Sequence, residues 1–451
     1  MKQDMNLAEL SLYEVQRKIY PRAVHGWFAG WRWGLVWITQ LIFYAGPWLA
    51  WNGRQAVLFD IAGRKFYIFG LVFWPQDIVY LAVLLIISAL TLFLFTAVAG
   101  RLWCGFACPQ TVYTEIFMWI ERVIEGDRNA RMRLDKKRFS TRKVFLKGAK
   151  HGAWITLSLW TGFTFVGYFT PIEELWSEML TLSFGAWEAF WVLFYGFATY
   201  GNAGWMREQV CKYMCPYARF QSAMFDNDTL IITYDRARGE PRGKAAAKGA
   251  GDCVDCGICV QACPTGIDIR EGLQYECIGC AACIDGCDQV MDKLARPRGL
   301  IRYSTTHAME GKQTRVLRPR VLVYSAILIA SAAATAASLY LRVPLKVDVI
   351  RDRAALAREV GDEVENVYRL QIMNTTEQER RYEIRVRGLK DIEIESDRHV
   401  TVGPAASRMV PVRVRVERDE VEPGTHPIEF EVRAVGADAI AARESSVFMV
   451  R

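Results

Sequence analysis

Five stretches of this 451-residue chain carry no charged side chain: 33–51, 78–100, 152–170, 189–206 and 321–341. Each is close to the roughly 20 residues a helix needs to cross a bilayer core at 1.5 Å per residue. A segment in lipid must satisfy its own backbone, so each is expected to be a helix. The rest is aqueous in character, which fits 52% hydrophobic residues with 15 Trp and predicts a membrane part joined to water-exposed domains. The first 32 residues are charged on both sides of any early apolar core and lack a small-residue cleavage pattern. The first span is therefore expected to stay in the mature chain.

Orientation follows from the short loops, because basic segments are poorly translocated. Twelve Lys and Arg lie in 101–150; loop 171–188 has four Glu and no basic residue, and loop 52–77 has only Arg54, Arg64 and Lys65. This places the N-terminus in the cytoplasm and, after five spans, residues 342–451 in a bacterial periplasm. The net charge of +7 then reads as a topology signal, not as nucleic-acid binding. All twelve cysteines fall at or inside the cytoplasmic boundary, where thiols stay reduced and serve metals.

Eight of the twelve form two runs of identical spacing, C-x2-C-x2-C-x3-C: Cys253, Cys256, Cys259, Cys263 and Cys277, Cys280, Cys283, Cys287. Such a run supplies three thiolates to one [4Fe–4S] cluster and its fourth to the cluster of the other run. Cys253, Cys256, Cys259 and Cys287 are thus expected to hold one cluster, and Cys277, Cys280, Cys283 and Cys263 the other. Gly257, Gly279, Ala281 and Ala282 allow close backbone approach. Zinc explains neither the third cysteine nor the duplication. Pro264 follows the first run and Asp288 the second, a difference expected to alter reduction potential. Upstream, 236–251 is rich in Gly, Ala and cations and reads as a flexible or loosely docked linker.

The other four cysteines also repeat: CGFACPQ with Cys104 and Cys108, and CKYMCPYARFQ with Cys211 and Cys215. Spacing of four puts both sulfurs on one helix face, while Pro109 and Pro216 mark a helix start or break. Two such pairs at equivalent depth would face one another. Thiolates here suit Cu(I), a further iron–sulfur centre or a dithiol/disulfide couple, with Met214 as a candidate thioether ligand to copper. His25 and His151, near span ends, read as hydrogen-bonded or solvated side chains, not haem ligands. The basic run 131–143 reads as a surface drawn to anionic lipid, and Trp and Tyr near span ends as an interfacial belt. In the tail, RYEIRVRG, VPVRVRVE and IEFEVRA alternate apolar and polar residues. That pattern indicates about seven half-buried strands in a sandwich, a docking module without a His or Cys cluster.

The strings WCGFACPQT, CKYMCPYARFQ and YDRARGEPRG, followed by two quartets, a last span and a β-rich tail, resemble the cytochrome c oxidase accessory protein family (CcoG, FixG or RdxA) over nearly the whole chain. The resemblance implies a polytopic α-helical membrane protein with five transmembrane helices, a cytoplasmic dicluster ferredoxin domain and a C-terminal immunoglobulin-like sandwich. It implies a role in assembling cbb3-type cytochrome c oxidase by reducing Cu(II) to Cu(I), with the oxidase and its copper-delivery factors as partners. The expected domains are 1–235, membrane with four spans and both C-x3-C-P motifs; 236–320, linker and ferredoxin; 321–341, fifth span; and 342–451, immunoglobulin-like. Cys104, Cys108, Cys211 and Cys215 are then the candidate catalytic and copper-binding thiols. Two other readings stand beside this one: a quinol-linked respiratory module with a quinone pocket among the spans, and a docking scaffold with structural clusters. The electron donor and any homo-oligomerisation are left open.

Overall fold

The computed structural model describes residues 18–244, 249–352 and 357–450. The chain forms two compact units: one of residues up to Ile42, Ala89–Phe163 and Ala189–Ala326, the other of Phe43–Ser88, Thr164–Glu188 and Ile327–Arg451. Each passage of the chain between them falls within a helix.

All five apolar windows are helical, with shifted bounds. The helices are Trp27–Ala45, Ile78–Ala99, Thr141–Val166, Ala186–Thr199 and Pro319–Tyr340. The first ends six residues before the expected limit, because Gly46 and Pro47 begin a tight 3-10 turn and Ala50–Trp51 is extended. The third starts eleven residues early, in the basic stretch, whose Lys and Arg are good helix formers. The fourth turns π-helical over Tyr200–Met206. Two segments, Pro75–Ala99 and Pro319–Tyr340, are long and apolar enough to cross a membrane. The former leaves Ile78, Val79, Leu81, Leu84, Leu85 and Ile86 exposed, which a water-soluble surface would not tolerate as one continuous patch.

In the first unit the ferredoxin-like core is bracketed by the antiparallel strands Ile231–Tyr234 and Ile301–Ser304. Ile232, Tyr234, Leu300 and Ile301 are buried in one cluster with Cys253, Cys259, Cys277 and Cys283. The core therefore begins at Ile231, ahead of the expected boundary at 236, because the first strand needs its partner after the second quartet. The linker is pinned where it is described: Arg238 holds Asp252 at 2.5 Å and the Arg298 carbonyl at 3.0 Å. Its residues 245–248 lie outside the described residues.

In the second unit loop 52–77, expected only as a connection, contains the three-stranded sheet Val57–Asp60, Lys65–Ile68, Leu71–Phe73. The tail is a sandwich of two antiparallel sheets. One runs Glu393–Ile394, Ser407–Glu417, Glu363–Asn374, Leu345–Arg351, with Arg358–Val360 on its third strand. The other runs His399–Val402, Arg380–Arg387, Gly424–Ala434, Ala437–Val450. Alternation works as anticipated: Tyr382 and Ile384, Val412, Val414 and Val416, and Ile428, Phe430 and Val432 all face one core. Asp77 anchors the tail's start, pairing with Arg342 at 2.7 Å and with Lys346.

Candidate iron–sulfur and thiol centre

The two quartets line two cavities of nearly equal size. Cys253, Cys256, Cys259 and Cys287 line the first. Cys263, Cys277, Cys280 and Cys283 line the second, which Cys259 also borders. The last cysteine of each run has thus crossed to the other's cavity. Local structure explains the exchange. Cys259 lies in the short helix Ile258–Ala262 and Cys263 at its end, while Cys283 and Cys287 lie one turn apart on Ala282–Lys293, and these two helices pack together. Most of the remaining lining is apolar, with Val254, Val290 and Met291 around one cavity and Ile267, Ile269 and Ile278 around the other, while Tyr234 and Arg270 border the first and Thr265 the second. Four soft donors around each cavity fit a four-iron cluster, with Cys256 the exposed corner of the first. Among the described residues no three His, Cys, Asp or Glu side chains converge on a single-ion site; a cubane instead asks for thiolates at four separate corners.

Burial pushes Cys259 up to about 11 and Cys277 and Cys287 up to about 12. These thiols become thiolates only as metal displaces the protons. Asp288, read from the sequence as a negative charge near a cluster, is held above the usual carboxylate range by burial, and its Oδ1 accepts the Gly299 N–H at 3.0 Å.

Three side chains that sequence reasoning missed secure the second loop by its carbonyls. Arg32 Nη1 donates to Cys280 O at 2.9 Å, Arg101 Nη1 to Cys277 O at 3.1 Å and the Tyr303 hydroxyl to Gly279 O at 2.5 Å. A fourth, Asp285, accepts the Phe28 and Ala29 amides at 3.2 and 2.7 Å, capping the first turn of Trp27–Ala45 where free N–H groups favour a carboxylate. The available signal was an arginine beside a span at two places, Arg32 before the first and Arg101 after the second, of which the loop count took in only Arg101.

The C-x3-C-P pairs do not lie on single helices. Cys104 is in the short helix Leu102–Phe106, but Cys108 is extended at φ −59°, ψ 129° and heads the helix Pro109–Glu125. Cys211 is in the π-helical turn Val210–Met214, and Cys215, at φ −77°, ψ 108°, heads Pro216–Met224. Proline excludes helical backbone from the residue before it, so the expected shared face is lost. What replaces it is the same cap in both motifs: cysteine at the helix start and proline in the first turn. The Gln110 and Thr111 amides bond the Cys108 sulfur, partly offsetting the burial that raises its pKa.

The pairs do come together. Cys104 lies in the electrostatic field of Cys108 and Cys215, and Cys211 in that of all three others. Cys104 and Cys211 pack against buried Ile278, Cys280 and Ala282. Gly105 carries the contact: a Cβ there would lie 2.6 Å from the Gly279 carbonyl and 2.7 Å from Cys280 Cα. Met214, the candidate thioether, is 58% exposed. His151 bonds the Tyr200 hydroxyl at 2.9 Å and stacks on Trp205, as read from sequence.

Burial raises Cys104 to about 11 and Cys211 to about 12, so both are neutral thiols at pH 7 in metal-free protein. Alkylation by iodoacetamide, followed by peptide mass spectrometry, should be slow at pH 7 and rise about tenfold per pH unit to pH 9, as thiolate does below its pKa. Rates level between pH 7 and 9 would contradict this environment.

Residues 206–306 match the family described as a 4Fe-4S dicluster domain, 81–125 a 4Fe-4S binding domain, and 335–451 the IG-like fold at the C-terminus of FixG, putative oxidoreductase. The chain is 38% identical to the nitrogen fixation protein FixG of Rhizobium meliloti, covering 90% of this chain and 87% of that one. It is 40% identical to protein RdxA of Cereibacter sphaeroides, covering 84% of each. A crystal structure of a FixG-related protein from Vibrio parahaemolyticus is 27% identical over 24% of this chain and 97% of that one, with a TM-score of 0.23.

Proposed function

This chain belongs to the FixG/RdxA family of membrane iron–sulfur electron-transfer proteins, and on that premise we propose that it reduces Cu(II) to Cu(I) during assembly of cbb3-type cytochrome c oxidase. The observation that carries the reading is the seating of Gly105 on the Gly279–Cys280 backbone, which sets Cys104 and Cys211 against the second cluster's ligand loop.

Cys253, Cys256, Cys259 and Cys287 hold one [4Fe–4S] cluster, and Cys263, Cys277, Cys280 and Cys283 the other. When bound, the clusters supply one-electron storage and transfer. Buried Cys277, Cys280 and Cys283 with Ile267, Ile269 and Ile278 shield the second cluster from water, while Cys256 leaves the first one exposed at one corner. Arg32, Arg101 and Tyr303 fix the second loop by its carbonyls, so its distance from the thiol pairs stays constant. Cys104, Cys108, Cys211 and Cys215 take Cu(II) as substrate, losing protons as they bind it. One electron reaching the metal gives Cu(I), which the same soft ligands favour. The thiols are neighbours, not a preformed single-ion site, which suits a metal that must leave for a delivery factor.

All five helices cross the inner membrane, with the N-terminus and ferredoxin domain in the cytoplasm and the immunoglobulin-like domain docking partners in the periplasm. The basic loop 101–150 and the acidic loop 171–188 support that direction.

Metal content tests the assignment. Anaerobically purified protein should hold about eight irons, two clusters of four. The quadruple variant Cys104→Ser, Cys108→Ser, Cys211→Ser, Cys215→Ser should keep them and lose bound copper. Loss of about four irons would mean that the thiol pairs hold a third cluster.

A further inference from the structure

A cavity of about 320 Å³ lies between the start of helix Trp27–Ala45, helix Pro109–Glu125 and the second quartet's loop, with Cys211 and Cys280 on its wall. Five arginines line it, Arg22, Arg32, Arg122, Arg131 and Arg207, against Glu115 and Glu208. Arg131 and Arg207 share one further carboxylate, Glu121, at 2.9 and 3.0 Å, and Lys150 also claims it at 3.5 Å. Even with Glu121 counted, five cations face three carboxylates.

Two of the arginines are deeply buried and incompletely satisfied. Arg32 and Arg131 are 6% and 3% exposed, and the Nε of each has no hydrogen-bond partner among the described residues. An unsatisfied buried donor costs about 1–3 kcal/mol, and more when charged. Guanidinium groups bind oxygen-rich anions with their planar forks.

We propose that this cavity is a binding site for a small molecule or headgroup bearing a phosphate or carboxylate oxyanion, recognised by Arg32, Arg131 and Arg122. The site adjoins the redox centre through Arg32, whose other donor holds Cys280 O. It requires nothing of copper, so it stands or falls separately from the cupric-reductase reading.

The probes are inorganic phosphate and lipid of defined charge. Cluster-loaded, delipidated full-length protein in detergent is titrated with phosphate by calorimetry. In parallel, hydrogen exchange at residues 27–33 is compared in nanodiscs of phosphatidylcholine with and without phosphatidylglycerol. Arg32→Gln and Arg122→Gln serve as variants, each accepted only if its iron content equals wild type. Phosphate binding weakened about tenfold or more by either variant, the loss of roughly one charge-assisted hydrogen bond, identifies a soluble oxyanion. Protection only with phosphatidylglycerol, lost in Arg122→Gln, identifies a lipid headgroup. Neither phosphate binding nor lipid-dependent protection, or binding unchanged in an iron-replete Arg122→Gln, overturns the proposal.

Discussion

Serine at both Cys256 and Cys287 should leave about four of the eight irons in place, although the two cysteines belong to different runs. Both line one cavity, so two substitutions destroy one cluster. If each run held its own cluster, the same double variant would lose nearly all its iron. Cys263→Ser with Cys280→Ser should behave in the same way at the other cavity. Pairing Cys256→Ser with Cys280→Ser, across the two cavities, should empty both. Iron and sulfide counts on anaerobic protein decide the matter without any assay of activity.

Gly105→Ala should damage the contact between the membrane-boundary thiols and the second cluster's loop. Its Cβ would fall 2.6–2.7 Å from backbone atoms of Gly279 and Cys280, and backbone held by Arg101, Arg32 and Tyr303 has nowhere to go. Overpacking of this kind costs about 1–3 kcal/mol or more, here concentrated on a ligand loop. Gly279 offers no relief: its φ is +68°, and a Cβ there would meet the Arg101 backbone at 2.9 Å. The variant should therefore lose iron from the second cluster and slow electron delivery to the thiols. Gly148→Ala, with nothing within 4 Å of its Cβ, is the control and should match wild type. Equal iron content and rates in the two variants would mean that the Gly105 contact is unimportant.

Much of the centre was legible because thiolate ligation imposes spacing on the chain itself. Three cysteines from one loop and a fourth from the other run are local constraints, so the cross-paired cavities follow from the quartets. The sandwich was legible for a similar reason: period-two alternation in RYEIRVRG and VPVRVRVE is the trace of a half-buried strand. The helical windows were found, but their ends were not, since Gly46 and Pro47 stop one helix within a run that is apolar throughout. Spacing of four suggested a shared helix face for Cys104 and Cys108, and the following proline overrode it by forcing Cys108 into extended backbone. The apposition of Gly105 with Gly279 joins positions 174 residues apart, and no local pattern reports such a contact. Arg32 and Arg101 were hidden by their own plausibility as charges at span ends.

The central claim is that electrons pass from the second cluster to the paired thiols and thence to copper. Its most direct test is single-turnover stopped-flow mixing of Cu(II) with protein whose clusters have been chemically reduced, following cluster reoxidation and Cu(I) capture by a chelator together. Wild type should reoxidise and yield one Cu(I) per electron lost. The four-serine variant, with its clusters intact, should reoxidise slowly and form little Cu(I). Equal rates and yields in the two proteins would remove Cys104, Cys108, Cys211 and Cys215 from the electron path.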